Sequence, residues 1–191
     1  MAGGGSLKDY NHAERRLWQD AQAILSQIGL KPGDTLADIG SGDGYFSIPA
    51  ARIVGKTGKV YALDVSAEAI AELKEAASAA GLNNIQTAVG EAETALLCNG
   101  CAADVVLMAN VLHDFNDPVA ALKNSRLILK RGGRLADLDW KKDKDQLHGP
   151  PFAKRFDQQK ATSLLEQARF KVMSSTLIGP FHYLIIAEPA P

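Results

Sequence analysis

Leu17, Ala21, Ile24 and Ile28 recur at helical spacing, and Gly29 with Pro32 stops the run, which predicts a helix over Asn11–Ile28. Beyond it, short apolar runs alternate with amphipathic stretches. The runs Thr35–Ile39, Lys59–Leu63, Ile85–Ala88, Asp104–Ala109 and Arg134–Leu138 read as strands. Val105–Met108 is apolar without interruption, the pattern of a parallel strand covered on both faces. Helix signals separate the runs. Ser66 caps a segment carrying Ile70, Leu73 and Ala77 that Gly81 ends, and Asp117-Pro118 opens one that Gly132-Gly133 closes. Asp157 caps a last helix through Leu164, Leu165 and Ala168.

Two further strands, Lys171–Leu177 and Tyr183–Ala187, follow with no helix between them, so they are expected to pair antiparallel. The whole reads as an α/β fold: a doubly wound, mostly parallel, seven-stranded sheet with helices on both faces. Pro49 is the one local conflict. A helix starting near Tyr45 puts it in the first turn, where amide hydrogens lack partners anyway.

Composition narrows the class. The chain has 191 residues, 46% of them hydrophobic, which suits one domain over 11–191 behind a glycine-rich lead at 1–10. The lead MAGGGS carries no apolar core and is read as a lead-in, not a signal peptide. With 21 basic and 22 acidic residues the net charge is -1, so neither nucleic acid nor an anionic membrane is an expected partner. No apolar run is long enough to span a bilayer, and a reducing, cytoplasmic setting is expected. Cys98 and Cys101 form a lone CxxC without the second pair a structural zinc site needs, and they read as ordinary thiols.

The informative stretch is Asp38-Ile39-Gly40-Ser41-Gly42-Asp43-Gly44, which follows the first strand and opens a helix. Glycines there let the backbone turn sharply and approach a ligand at the carboxyl end of a strand. A dinucleotide site wants glycine where Tyr45 stands. A pyrophosphate would also be repelled by Asp38 and Asp43. S-adenosylmethionine, whose sulfonium and α-ammonium are cationic, suits those carboxylates. The competing reading is turn glycines among solvated carboxylates.

At this point the chain resembles the class I S-adenosylmethionine-dependent methyltransferases, in their small-molecule, ubiquinone/menaquinone-methyltransferase-like branch. LADIGSGDGYF has the family's acidic-x-G-x-G-x-G form, and the likeness runs from about Lys31 to Pro189. It implies that Asp38, Gly40, Ser41, Gly42, Gly44 and Tyr45 cradle the cofactor's amino-acid part. Asp64 and Val65 would meet the ribose and its surroundings. Glu91 and Ala92 would stand near adenine, although the family commonly has Asp where Glu91 stands. Asn110 and Val111 would line the methionine part.

Methyl transfer needs acceptor, methyl carbon and sulfur held in line, and a base only where the acceptor loses a proton. His113, after the fourth strand, is the candidate base, with Asp114 beside it to orient the ring. The L-H-D string is similar to one in plant O-methyltransferases, and it also occurs where the histidine only shapes the pocket. The N/D-P-P-Y/F motif of amino-group methyltransferases is absent. Asp137 and Asp139 share a face of the fifth strand, but Asn110 replaces the carboxylate a magnesium site would need, so no metal is expected. Trp18, with Tyr10 and His12, belongs to an N-terminal segment (11–30) expected to lid the site or pack in the core. Gly149-Pro150-Pro151-Phe152 is a stiff loop that reads as a substrate gate or a connector.

The expected activity is methyl transfer to a small molecule, and the reading leaves both a monomer and a homo-oligomer open. The alternatives are a protein or RNA methyltransferase, a nicotinamide oxidoreductase, and a silent nucleoside-binding module.

Overall fold

The computed structural model describes residues 12–94, 102–146 and 148–191. Tyr10 and the Cys98/Cys101 pair lie outside the described residues.

The expected helix over 11–28 is two helices, α1 (His12–Arg16) and α2 (Ala21–Ile28). Asp20 is the cause. Its carboxylate accepts hydrogen bonds from the Gln22 and Ala23 amides, at 2.9 and 3.1 Å, and so starts a fresh helix. Leu17, which the apolar spacing placed on the buried stripe, lies in the break and is 87% exposed. Gly29 ends α2 with φ 82°, as its position predicted.

The order then runs β1 (Thr35–Ile39), α3 (Ser47–Val54), β2 (Lys59–Asp64), α4 (Ala67–Ala79), β3 (Ile85–Val89) and β4 (Ala103–Ala109). It continues through a single turn at Leu112–Asp114 to α5 (Pro118–Ile128), β5 (Leu129–Trp140), α6 (Gln158–Gln167), β6 (Phe170–Ile178) and β7 (His182–Pro189). Pro49 falls in the first turn of α3, so the conflict resolves as expected.

The seven strands lie in the order β3-β2-β1-β4-β5-β7-β6. The first five are parallel, and β7 runs antiparallel between β5 and β6. The winding reverses between β1 and β4, which opens a crevice at the carboxyl ends of those strands.

Alternation along the strands divides the core. Leu36, Val105, Leu107, Ala136 and Leu138 face α2 and α3, packing on Ile24, Leu25 and Val54. Ala37, Val106, Met108, Leu135 and Ile185 face α5 and α6, packing on Leu122 and Leu165. The fifth strand is longer than its apolar run, and α5 stops at Ile128, before the glycines expected to close it. Leu129 already pairs with Ala103, and the register shifts between Ala103 and Val105. A side chain at Gly133 would come 2.9 Å from the Ala103 carbonyl, so the glycines serve this irregular pairing and not a helix end.

Candidate active site

The loop after β1 is shaped by close packing that only glycine permits. Gly40 has φ +74°, and a Cβ there would lie 2.6 Å from Val111. Gly44 has φ +95°, and a Cβ would lie 2.4 Å from Leu73 of α4. Asp64, ending β2, ties the loop down. It accepts from the Gly42 amide at 2.8 Å and from Ser66 at 2.9 Å, one bond per carboxylate oxygen. Each oxygen keeps a further lone pair for a ribose hydroxyl.

The loop walls a cleft of about 280 Å³, to which Asp38, Gly40, Ser41, Gly42, Asp43 and Tyr45 contribute, with His12 and Arg15 from the N-terminal segment and Glu72 from α4. Asp38 is 1% exposed and accepts a hydrogen bond from Ser47 Oγ at 2.6 Å. Burial pushes its pKa up to about 6, against the Ser47 hydrogen bond, which favours the charged form. Ser41 Oγ is buried and has no hydrogen-bond partner. An acidic cleft with an unsatisfied hydroxyl fits a ligand bearing an ammonium and hydroxyl groups. A diphosphate would set its charge against Asp38 and Asp43.

The residues expected to hold the cofactor divide into two sets. Asp38, Gly40, Ser41, Gly42 and Tyr45 line the cleft, with Gly44 and Asp64 supporting it. Val111 packs behind Gly40, and Asn110, with φ 60°, ends β4 beside it. Val65, Glu91 and Ala92 lie outside that lining. Val65 is 68% exposed, an uncovered apolar surface next to Asp64 at the end of β2. Glu91 is exposed and Ala92 is buried against the core.

His113 is oriented by a residue other than the expected one. Its Nδ1 lies 2.8 and 2.9 Å from the two oxygens of Asp139 on β5, while Asp114 stands 3.4 Å from Nε2 and turns its other oxygen to Lys154 at 3.0 Å. Burial works to lower the His113 pKa, but hydrogen bonding and attraction to Asp139, helped by Asp114, raise it overall. The ring is 3% exposed and does not line the cleft. Asp137, two residues before Asp139 on the same face, is fully buried, and neither of its oxygens closes a hydrogen bond. Desolvation, then the Asp139 charge, raise its pKa well above the ordinary carboxylate value. No cluster among the described residues has the make-up of a metal site.

The N-terminal segment borders the cleft through polar residues that hydropathy did not single out. Arg15 is 8% exposed, its guanidinium 3.8 Å above the Tyr45 ring and its Nε donating to Gln19 at 2.7 Å. Gln19, fully buried, accepts the Tyr45 hydroxyl at its carbonyl and pairs side chain to side chain with Asn110. His12 Nε2 lies 2.9 Å from Asp43 Oδ2, which accepts.

Trp18 stacks on His182 with planes 7° apart, and His182 in turn lies 4.2 Å from Trp140. This aromatic group sits at the Trp140–His182 pair, at the carboxyl end of β5 and the start of β7. Both His182 ring nitrogens are buried without partners, and its pKa is pushed down to about 3, chiefly by burial. The Gly-Pro-Pro loop is a fixed connection: Arg155 donates to the carbonyls of Pro150 and His148 at 2.7 Å each, and to Asp143 and Gln146 at 3.2 Å.

A methyltransferase-domain family model matches residues 30–174. The chain belongs to that family. It is 32% identical over 132 residues to the chloroplastic 2-phytyl-1,4-beta-naphthoquinone methyltransferase of Arabidopsis thaliana, covering 68% of this chain and 49% of that one. It is 31% identical to a ubiquinone/menaquinone biosynthesis C-methyltransferase of Teredinibacter turnerae, covering 69% and 52%. The chain thus spans about half the length of these curated relatives. A solved structure of a SAM-dependent methyltransferase from Aquifex aeolicus superposes with TM-score 0.82 at 26% identity, covering 93% of this chain and 98% of that one. No helix among the described residues is long and apolar enough to cross a membrane.

Proposed function

We propose that the protein transfers the methyl group of S-adenosylmethionine to a small planar acceptor with aromatic character. The observation that carries the reading is Asp38, a buried carboxylate at the cleft wall with no ion-pair partner among the described residues, placed where a cationic amino-acid tail can meet it. Bound there, the cofactor supplies an electrophilic methyl carbon already activated by the sulfonium. The chain's own work is to bind, orient and keep water out. Positioning of this kind contributes about 7–11 kcal/mol in favourable cases.

In this reading Asp38, Gly40, Ser41, Gly42 and Tyr45 hold the amino-acid part, and Asp64 holds the ribose. Val65, Glu91 and Ala92 border the base, and Asn110 and Val111 set the floor at the end of β4. The quinone methyltransferase names of the relatives support an aromatic acceptor. His113 is the base for an acceptor that loses a proton, its ring fixed by Asp139.

The test is transfer of isotopically labelled methyl from S-adenosylmethionine to hydroquinones, phenols and non-aromatic amines in parallel. Labelling of the phenolic and hydroquinone compounds alone is expected. Labelling confined to added protein or RNA would move the acceptor to the macromolecular class.

A further inference from the structure

Arg15 is a cation in an acidic setting. Of the charged side chains on the cleft, Asp38, Asp43 and Glu72 are acids, and Arg15 is the one permanent cation among those described. It is 8% exposed, yet among the described residues no carboxylate oxygen comes within 4.0 Å of it. Burial of the unpaired guanidinium lowers its pKa to about 10, which still leaves it charged at neutral pH. Its attitude is fixed beforehand: Nε is taken by Gln19, and the guanidinium plane rests on Tyr45. The two terminal nitrogens remain, in the fork geometry that matches a carboxylate.

Resting on the reading of the cleft as an S-adenosylmethionine site, we infer that Arg15 receives the α-carboxylate of the cofactor's amino-acid tail. The tail is a zwitterion and brings one anion into the cleft. Its ammonium suits Asp38, and its carboxylate suits the guanidinium contributed by the N-terminal segment. Arg15 thereby selects adenosyl compounds with an intact amino acid over those without one, and it couples α1 to cofactor binding. It is a binding and positioning residue, since the carboxylate takes no part in methyl transfer.

Calorimetry on the full chain tests this with three ligands: S-adenosylhomocysteine, its decarboxylated counterpart, and 5′-methylthioadenosine, which lacks the tail. Wild-type protein is expected to bind the decarboxylated compound roughly 10- to 100-fold more weakly than S-adenosylhomocysteine, the range for losing charge-assisted hydrogen bonds. Arg15→Gln is expected to lose a similar factor for S-adenosylhomocysteine and to hold methylthioadenosine within about twofold, which also shows the variant is folded. Arg15→Lys, charged but without the fork, is expected to fall between.

Equal binding of S-adenosylhomocysteine by wild type and Arg15→Gln overturns the inference. So does a wild type indifferent to the carboxylate, whatever the variants do. Failure of wild-type protein to bind any of the three compounds is a different result, and it overturns the cofactor reading itself.

Discussion

Gln19 and Asn110 exchange hydrogen bonds through their side-chain amides, at 3.3 and 3.2 Å, across 91 positions of chain. The pair joins the break between α1 and α2 to the end of β4, and both residues are buried. Truncating either one strands the other's amide in a dry environment, a cost of about 1–3 kcal/mol.

Gln19→Ala is therefore expected to lower the thermal midpoint and weaken cofactor binding together, because Arg15 Nε donates to the same side chain. Asn110 adds a conformational demand through its φ of 60°. Asn110→Gly keeps that backbone and loses only the amide, whereas Asn110→Val also forces a β-branched residue into the left-handed region. The valine variant is expected to be the less stable by roughly 1 kcal/mol or more in chemical denaturation. Equal stabilities would contradict the strain.

On the proposed reading of the cleft, Asp38 is expected to set a pH dependence of cofactor binding. Its pKa stands near 6 in the free protein, and an ammonium beside it favours the ionised form. Binding near pH 6 should therefore release a proton, and affinity should fall as pH drops through 6. Calorimetry in buffers of different ionisation enthalpy reads that proton directly.

The sign for stability is the opposite. A carboxyl with a raised folded pKa loses stability as pH rises from about 4 to 6, so Asp38→Asn should be more stable than wild type above that window while binding cofactor poorly. A binding curve flat from pH 5 to 8 would remove Asp38 from the ammonium site.

His113 titrates above its ordinary value of 6.5, so its pairing with Asp139 stabilises the fold fully below that pH and less as pH rises through the raised pKa. Asp139→Asn should flatten that alkaline decline. For a base at His113, the acid limb of turnover should lie above pH 6.5 in wild type, move down in Asp139→Asn, and vanish in His113→Gln along with most of the rate. His113→Gln with unchanged turnover would leave the residue a brace between β4 and β5.

Gly44→Ala places a methyl 2.4 Å from Leu73 Cδ1 at φ +95°. A loss of about 1–3 kcal/mol is expected, with cofactor affinity falling as the loop is pushed off α4. The measurement is urea unfolding alongside ligand titration, and a variant of wild-type stability would show that the loop has slack.

The sheet and the cradle were legible because both depend on local signals. Alternating apolar runs, caps at Ser66, Asp117 and Asp157, and glycines between a strand and a helix each act within a few residues. What escaped depends on distance in the chain. Asp139 sits 26 residues from His113, and no spacing rule favours it over Asp114, which is adjacent and therefore faces the ring poorly. Arg15 and Gln19 are polar residues buried by mutual pairing, so a hydropathy pattern assigns them to the surface. Leu17 failed the other way. Its spacing continued the stripe, but Asp20 restarts the helix and turns it outward. The cue was present in Asp20 as a capping residue, and the apolar periodicity outweighed it.

The most direct measurement is a calorimetric titration of the whole chain with S-adenosylhomocysteine and, separately, NADH near pH 7.5. Saturable binding of the adenosyl compound at one site per chain, lost in Asp64→Ala and absent for NADH, is the expected result. Saturable binding of NADH, with none of the adenosyl compound, would show that the acidic cradle after β1 does not choose a cationic ligand.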